Sequence, residues 1–148
     1  MAQRIENKLL QAFNFKTSIP IRFADIDLFG HVNNAVYLTY FEIARSIYWK
    51  EIIEWNWELM GIIIANAEVS YLKPIQLNDD ILAYVKTSDI GKSSFTLKYA
   101  LVKVVNGQEE LCTTGSTTCV SFDYANNKPA QIPQESRMKM EIFEALKC

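Results

Sequence analysis

The sequence predicts an α+β domain in which one long helix is wrapped by a curved antiparallel sheet. Three observations carry this. The apolar period is two from about Thr17, becomes 3.6 over residues 34–55, and returns to strand character after Gly61. The segments beyond Gly61 are long and separated by clear turn signals, among them Asn106-Gly107, the dipeptide most favoured in a two-residue hairpin turn. Finally, 148 residues that are 49% apolar suffice for a single core, burying roughly two thirds of the unfolded surface. One domain spanning 1–148 is expected.

Residues 1–16 carry a short helical hint in Ile5, Leu9 and Leu10. From Thr17 the chain alternates, with Ile19, Ile21 and Phe23 on one face and Arg22 on the other, as in a half-buried strand. Pro20 marks that strand as an edge or places it at a strand's beginning, because proline cannot donate to a ladder. Over 34–55, Tyr37, Phe41, Ala44, Tyr48, Ile52 and Trp55 form one helical stripe, and Val36, Tyr40, Ile43 and Ile47 a second. Two adjacent stripes mean a largely buried helix. Only Glu42, Ser46, Lys50 and Glu54 form a solvated face, with Lys50 and Glu54 spaced to pair; Asn33 or Asn34 suits the N-cap.

Strands are expected at 62–72, 81–90, 94–105 and 109–123, successive ones as antiparallel neighbours. Pro74 and Asn78-Asp79-Asp80 break the first pair, and Gly91-Lys92-Ser93 the second. Pro133 opens a C-terminal helix whose apolar positions are Met138, Ile142, Phe143 and Leu146. One helix cannot cover both faces and all edges of such a sheet, so a homo-oligomer, dimer or tetramer, is expected.

Composition narrows the function. A net charge of −2, from 15 basic and 17 acidic side chains without a basic run, gives no footprint for nucleic acid or anionic membrane. The first eight residues lack the apolar region of a signal peptide, and no segment approaches the ~20 apolar residues of a membrane span. Cys112 and Cys119 lie seven apart in one expected strand, hence on opposite faces and roughly 23 Å apart at ~3.3 Å per residue. They cannot bridge there. With Cys148 near the end, reduced thiols in a cytoplasmic protein are expected. Cys and His show no metal-ligand spacing.

Polar chemistry concentrates in Asp25-Ile26-Asp27-Leu28-Phe29-Gly30-His31-Val32-Asn33-Asn34, between the first strand and the long helix. The start resembles a calcium loop, but Phe29 and Val36 stand where oxygen ligands are required. An aspartyl phosphotransferase would want a hydroxyl residue near position 29 and a larger α/β domain. For Asp25, Gly30 and the asparagines, a plain strand-turn-helix connection explains the residue types as well as a site does. Asp27 is less easily explained that way.

The extended pattern Asp25-x-Asp27-x-x-Gly30-His31-Val32-Asn33-Asn34-x-x-Tyr37, running into an aromatic-rich helix through Glu42 and Arg45, resembles the signature of hotdog-fold acyl thioesterases of the 4-hydroxybenzoyl-CoA thioesterase family. Residues 67–75, Asp79-Asp80 and Gly91-Lys92-Ser93-Ser94-Phe95 also fall where that family has strands and turns, so the likeness runs from about Ile19 to Asp123. The resemblance implies a helix wrapped by an antiparallel sheet, dimers joined by edge strands, and acyl-CoA hydrolysis at the subunit interface without a cofactor or metal. The family's catalytic carboxylate falls on Asp27, as general base on water or as direct nucleophile. Free N–H groups at the helix start, near Asn33 and Asn34, would polarise the thioester carbonyl. His31 is either a donor or base in the site or a residue that orders the loop. Tyr37 is core or the wall of an acyl pocket, and Lys92 and Ser93 are candidates for the CoA phosphates. The expected set is thus Asp27, His31 and Asn34 for catalysis, with Asn33, Tyr37, Lys92 and Ser93 binding substrate.

Three other readings compete. Acyl-carrier-protein thioesterases share His31-Val32-Asn33-Asn34, but this chain has Phe29 where they have a catalytic asparagine, and Pro74-Ile75 where they have an acidic residue and a cysteine. A non-catalytic acyl-binding module would gain little from Asp27, because burying a carboxylate is costly. A hotdog dehydratase would need His and Asp acting together on a hydroxyacyl chain, with His31 the only histidine.

Overall fold

The computed structural model describes residues 2–145. In chain order these form α1 (Ala2–Gln11), β1 (Phe15–Ile19), a 3-10 turn (Phe23–Asp25), α2 (Val36–Tyr48), a π-helical turn (Trp49–Ile53), β2 (Gly61–Tyr71), β3 (Ile81–Ser88), β4 (Ser94–Val105), β5 (Gln108–Asp123), β6 (Lys128–Pro129) and α3 (Gln134–Glu144). The sheet is antiparallel in the order β1-β3-β4-β5-β2, with β6 added to β5. Helix α2 lies in the concave face, so the expected α+β layout is the observed one.

Packing follows the two periods. Ile81, Ala83 and Val85 of β3 and Phe95, Leu97, Tyr99 and Leu101 of β4 point inward with Tyr37, Tyr40, Phe41, Ala44 and Tyr48 of α2. The Phe41 ring stacks on Tyr99 at 4.3 Å between centroids. Gly115 of β5 makes that approach possible, since a Cβ there would sit 2.4 Å from the Phe41 ring and 2.8 Å from the Glu68 carbonyl. On the outer face, Leu10 of α1 packs with Tyr84, Ala100, Val102 and Leu111, which gives the N-terminal helical hint its partner.

Several expectations need correcting. The first strand does not run through Phe23: Pro20 ends it, β1 stays at the sheet edge, and Phe23 is exposed. Strands β2 and β3 are not neighbours, because residues 72–80 carry the chain across to the other side of the sheet, where β3 lies between β1 and β4, and β2 pairs with β5 instead. The helix keeps an α period only to Tyr48. The π turn then adds a residue and moves the buried position from Ile52 to Ile53, and Glu54, left-handed at φ 54°, pairs with Lys139 rather than Lys50. In α3 Ser136 and Met140 are buried and the expected Phe143 packs, partly buried, against Tyr48, whereas Met138 and Ile142 are exposed; Leu146 lies outside the described residues.

Cys112 and Cys119 do not face opposite ways. The pairing register skips Cys112 between Leu101/Thr113 and Val102/Leu111, so a β-bulge inverts the alternation and both thiols enter the core. They are free and fully buried, and burial pushes each thiol up to about 11. Cys148 lies outside the described residues. The Asn106-Gly107 turn is as expected, with both residues at positive φ and Val105 paired to Gln108. No helix among the described residues is long and apolar enough to cross a membrane.

Candidate active site

The site is built on residues 22–37, held between the edge strand β1 and the start of α2. Asp25 anchors it. Its carboxylate is 1% exposed and accepts the Arg22 backbone N–H (2.9 Å), the Arg22 Nε and Nη2 (3.0 and 2.8 Å) and the Tyr40 hydroxyl (2.8 Å). Burial opposes ionisation, but the donors of Arg22 and Tyr40 outweigh it and hold this carboxyl below the usual carboxylate range. The Asp25 carbonyl accepts the Asn33 N–H at 2.9 Å. One residue thus fixes both ends of the loop and fastens it to α2.

Between those ends Asp27 and His31 close a turn. The Asp27 N–H donates to the His31 carbonyl (2.8 Å), and Gly30, at φ +81°, returns its N–H to the Asp27 carbonyl (3.1 Å). The Asp27 side chain takes the N–H groups of Phe29 (2.9 Å) and His31 (3.2 Å), both on Oδ1. Among the described residues Oδ2 has no donor, so the carboxylate is held by one oxygen and free at the other. The loop tip leaves Leu28 and Phe29 almost fully exposed.

The N-cap of α2 is Ala35, without a side-chain cap, rather than the expected Asn33 or Asn34; Asn33 instead makes an Asx turn ahead of the helix, its Oδ1 accepting the Ala35 N–H (3.0 Å) and its carbonyl the Val36 N–H (2.9 Å). In the connection into α2 the N–H groups of Ala35 and Val36 are thus committed, as is that of Asn33, to the Asp25 carbonyl. That of Asn34 has no acceptor among the described residues.

A cleft of about 230 Å³ is lined by Asp27, His31, Val32, Asn34, Tyr37, Tyr71, Leu72, Lys73 and Pro74. It brings together Asp27, His31, Asn34 and Tyr37 of the expected set. Tyr37 is buried, its hydroxyl pushed up to about 12 by burial. His31 lines the cleft, its imidazole without a hydrogen bond among the described residues, and it is the His31 backbone that orders the loop. Asn33 acts through the Asx turn and is not part of the lining. Lys92 and Ser93 lie at the β3–β4 turn, where their carbonyls accept the N–H groups of Ile132 and Ser121, and neither lines this cleft.

Sequence reasoning missed the far wall, Tyr71 to Pro74. These residues follow the end of β2, and only the pairing of β2 with β5 brings them beside the loop. The Leu72 and Lys73 N–H groups both reach the Cys112 carbonyl (2.9 and 3.1 Å), and the Ile75 carbonyl accepts the Val32 N–H (2.8 Å). Lys73 is engaged by Glu110. A larger cleft, about 690 Å³, lies under α1 on the outer face, but its Glu109 is taken by Lys16 and Tyr84. Among the described residues no group of three or more His, Cys, Asp or Glu is placed to hold a metal ion.

The chain is similar to known proteins over most of its length. It is 31% identical to the uncharacterized protein YsmA of Bacillus subtilis (strain 168) over 128 residues, 85% of this chain and 84% of that one. It is 25% identical to the long-chain acyl-CoA thioesterase FadM of Escherichia coli (strain K12) over 129 residues, 85% of this chain and 96% of that one. Among solved structures, a thioesterase from Thermus thermophilus, complexed with coenzyme A and Zn, superposes with a TM-score of 0.79 at 33% identity, covering 93% of this chain and 99% of that chain. Residues 21–140, from just after β1 into α3, match the Thioesterase-like superfamily. The chain therefore belongs to the thioesterase-like superfamily, and the helix wrapped by its sheet is the hotdog fold.

Proposed function

We propose that this protein hydrolyses acyl-CoA thioesters to free acid and CoA, with the carboxylate of Asp27 as the reactive base or nucleophile. The observation that supports the reading is that one cleft is lined by both Asp27, whose Oδ2 has no donor, and Asn34, whose N–H has no acceptor among the described residues. A thioester needs little more, because the thiolate leaves readily. The Asn34 N–H, at the positive end of the α2 dipole, would bind the carbonyl oxygen as it gains charge. Asp27 would deprotonate a water, or attack to give a short-lived anhydride. His31 lines the same cleft, and its ring nitrogens, without a partner among the described residues, would be available to substrate or water.

The site is proposed to be completed by a second copy. The edge strand β2 runs for eleven residues, and its residues 65–68 and 70–71 are exposed. Such an edge is a template for pairing with another β2. In the dimer, Lys92 and Ser93 would serve the CoA phosphates of a substrate held in the partner's cleft, and the exposed Phe23, Leu28 and Phe29 would face the acyl chain or the partner. The homology to FadM and to a CoA-bound thioesterase supports CoA as the carrier.

The test is thiol release from a panel of short, long and aryl acyl-CoAs. Turnover on one class is expected and names the acyl group. No turnover on any CoA ester would sink the reading, and turnover on acyl-carrier-protein thioesters alone would replace CoA by that carrier.

A further inference from the structure

Asn34 is held by a bond that the catalytic reading leaves unexplained. The Tyr71 hydroxyl donates to the Asn34 carbonyl at 2.8 Å, across 37 residues of sequence. Tyr71 is the last residue of β2, half exposed in the cleft wall. Its ring stands edge-on to Tyr37, centroids 4.9 Å apart at 88°, and the N–H groups of the next two residues fasten its backbone to β5.

We infer that Tyr71 is a positioning residue for thioester hydrolysis, its hydroxyl aiming the Asn34 N–H at the substrate carbonyl; this rests on the reading of the cleft as a thioesterase site. The argument is geometric. Two peptide planes meet at the Asn34 Cα. The preceding one is fixed through the Asn33 carbonyl, which accepts the Val36 N–H, and the following one through the Asn34 carbonyl, which accepts Tyr71. With both planes held, the direction of the Asn34 N–H is set before substrate arrives, which is how a donor stabilises a developing oxyanion without reorganising. The hydroxyl also occupies a carbonyl lone pair at the cleft rim that would otherwise repel the negative charge. Neither effect requires Tyr71 to touch the thioester.

Steady-state kinetics of Tyr71→Phe and Tyr71→Leu on the best acyl-CoA of the panel test this. Phenylalanine keeps the ring against Tyr37 and removes only the hydroxyl. The expected result is a kcat about ten- to a hundredfold lower with KM changed less than about twofold, short of the 10²–10³-fold of deleting an oxyanion donor outright. Leucine also removes the cleft wall, so KM rises as well. A Tyr71→Phe protein with the wild-type kcat, or with its loss confined to KM, overturns the inference while wild-type turnover leaves the thioesterase reading standing. Absence of thiol release by the wild type overturns both.

Discussion

Replacing Gly115 by alanine tests how tightly α2 is set into the sheet. The new methyl carbon would lie 2.4 and 2.5 Å from two atoms of the Phe41 ring and 2.8 Å from the Glu68 carbonyl oxygen. To restore ordinary contact the ring must retreat by about 1 Å, yet it is stacked on Tyr99 with only 8° between planes. The Glu68 oxygen is backbone, so no rotamer change relieves that contact, and β2 must slide against β5 where Val69 pairs with Gly115. Overpacking of this kind costs about 1–3 kcal/mol. The lower backbone entropy of unfolded alanine returns about 0.4–1 kcal/mol. A net loss near 1.3 kcal/mol lowers the melting temperature by about 3–5 °C at this chain length. Thermal unfolding followed by circular dichroism measures it. A shift below about 2 °C would refute the claim that Gly115 sets the helix-to-sheet distance. Because β2 also carries Tyr71, the same variant is expected to lose thioester turnover.

Asp25→Asn removes the charge that Arg22 and Tyr40 surround; it is expected to cost about 1.5–3 kcal/mol, the range for hydrogen bonds to charged groups, read from urea midpoints. Because the folded pKa of Asp25 is lowered, its stabilisation is fully present above the unfolded value and is lost as pH falls through the folded one. The wild type should therefore lose its advantage over Asp25→Asn on acidification below the ordinary aspartate range, and a constant difference down to pH 2 would contradict the ion pair. For the cysteines, burial predicts that a Cys148→Ser protein shows no thiol reactive to a disulfide reagent at pH 8 until it is unfolded, when Cys112 and Cys119 both react. Reaction in the native state would mean the β5 bulge opens.

What was legible in the sequence is what local periodicity encodes. The switch to a 3.6 period marks α2 because its stripe of Tyr37, Phe41, Ala44 and Tyr48 meets one continuous sheet face. Asn106-Gly107 marks its hairpin because that turn needs two positive φ values. The errors occur where one inserted residue changes the phase: the π turn exchanges Ile52 for Ile53, and the bulge at Cys112 turns that thiol inward. Neither carries a Gly or Pro signal. In the site, Asp27, His31 and Asn34 are adjacent in sequence and were readable as a group. Tyr71 and Lys73 belong to the cleft only because β2 crosses to pair with β5, a non-local choice that no window of sequence contains. Which donors near the helix start are already engaged is hidden for a related reason. The Asn33 side chain and carbonyl and the Asp25 carbonyl claim the N–H groups of Ala35, Val36 and Asn33, and only the folded loop shows that of Asn34 without an acceptor among the described residues.

The central claim is that the unanchored oxygen of Asp27 does the chemistry. Thiol release on the best acyl-CoA, compared between the wild type and a folded Asp27→Asn variant, tests it most directly. The amide can still accept the Phe29 and His31 N–H groups through its oxygen, so the loop is kept while the base or nucleophile is removed. A fall in kcat of about 10²–10⁴-fold is predicted, with the melting temperature preserved. An Asp27→Asn protein that turns over at the wild-type rate would contradict the account.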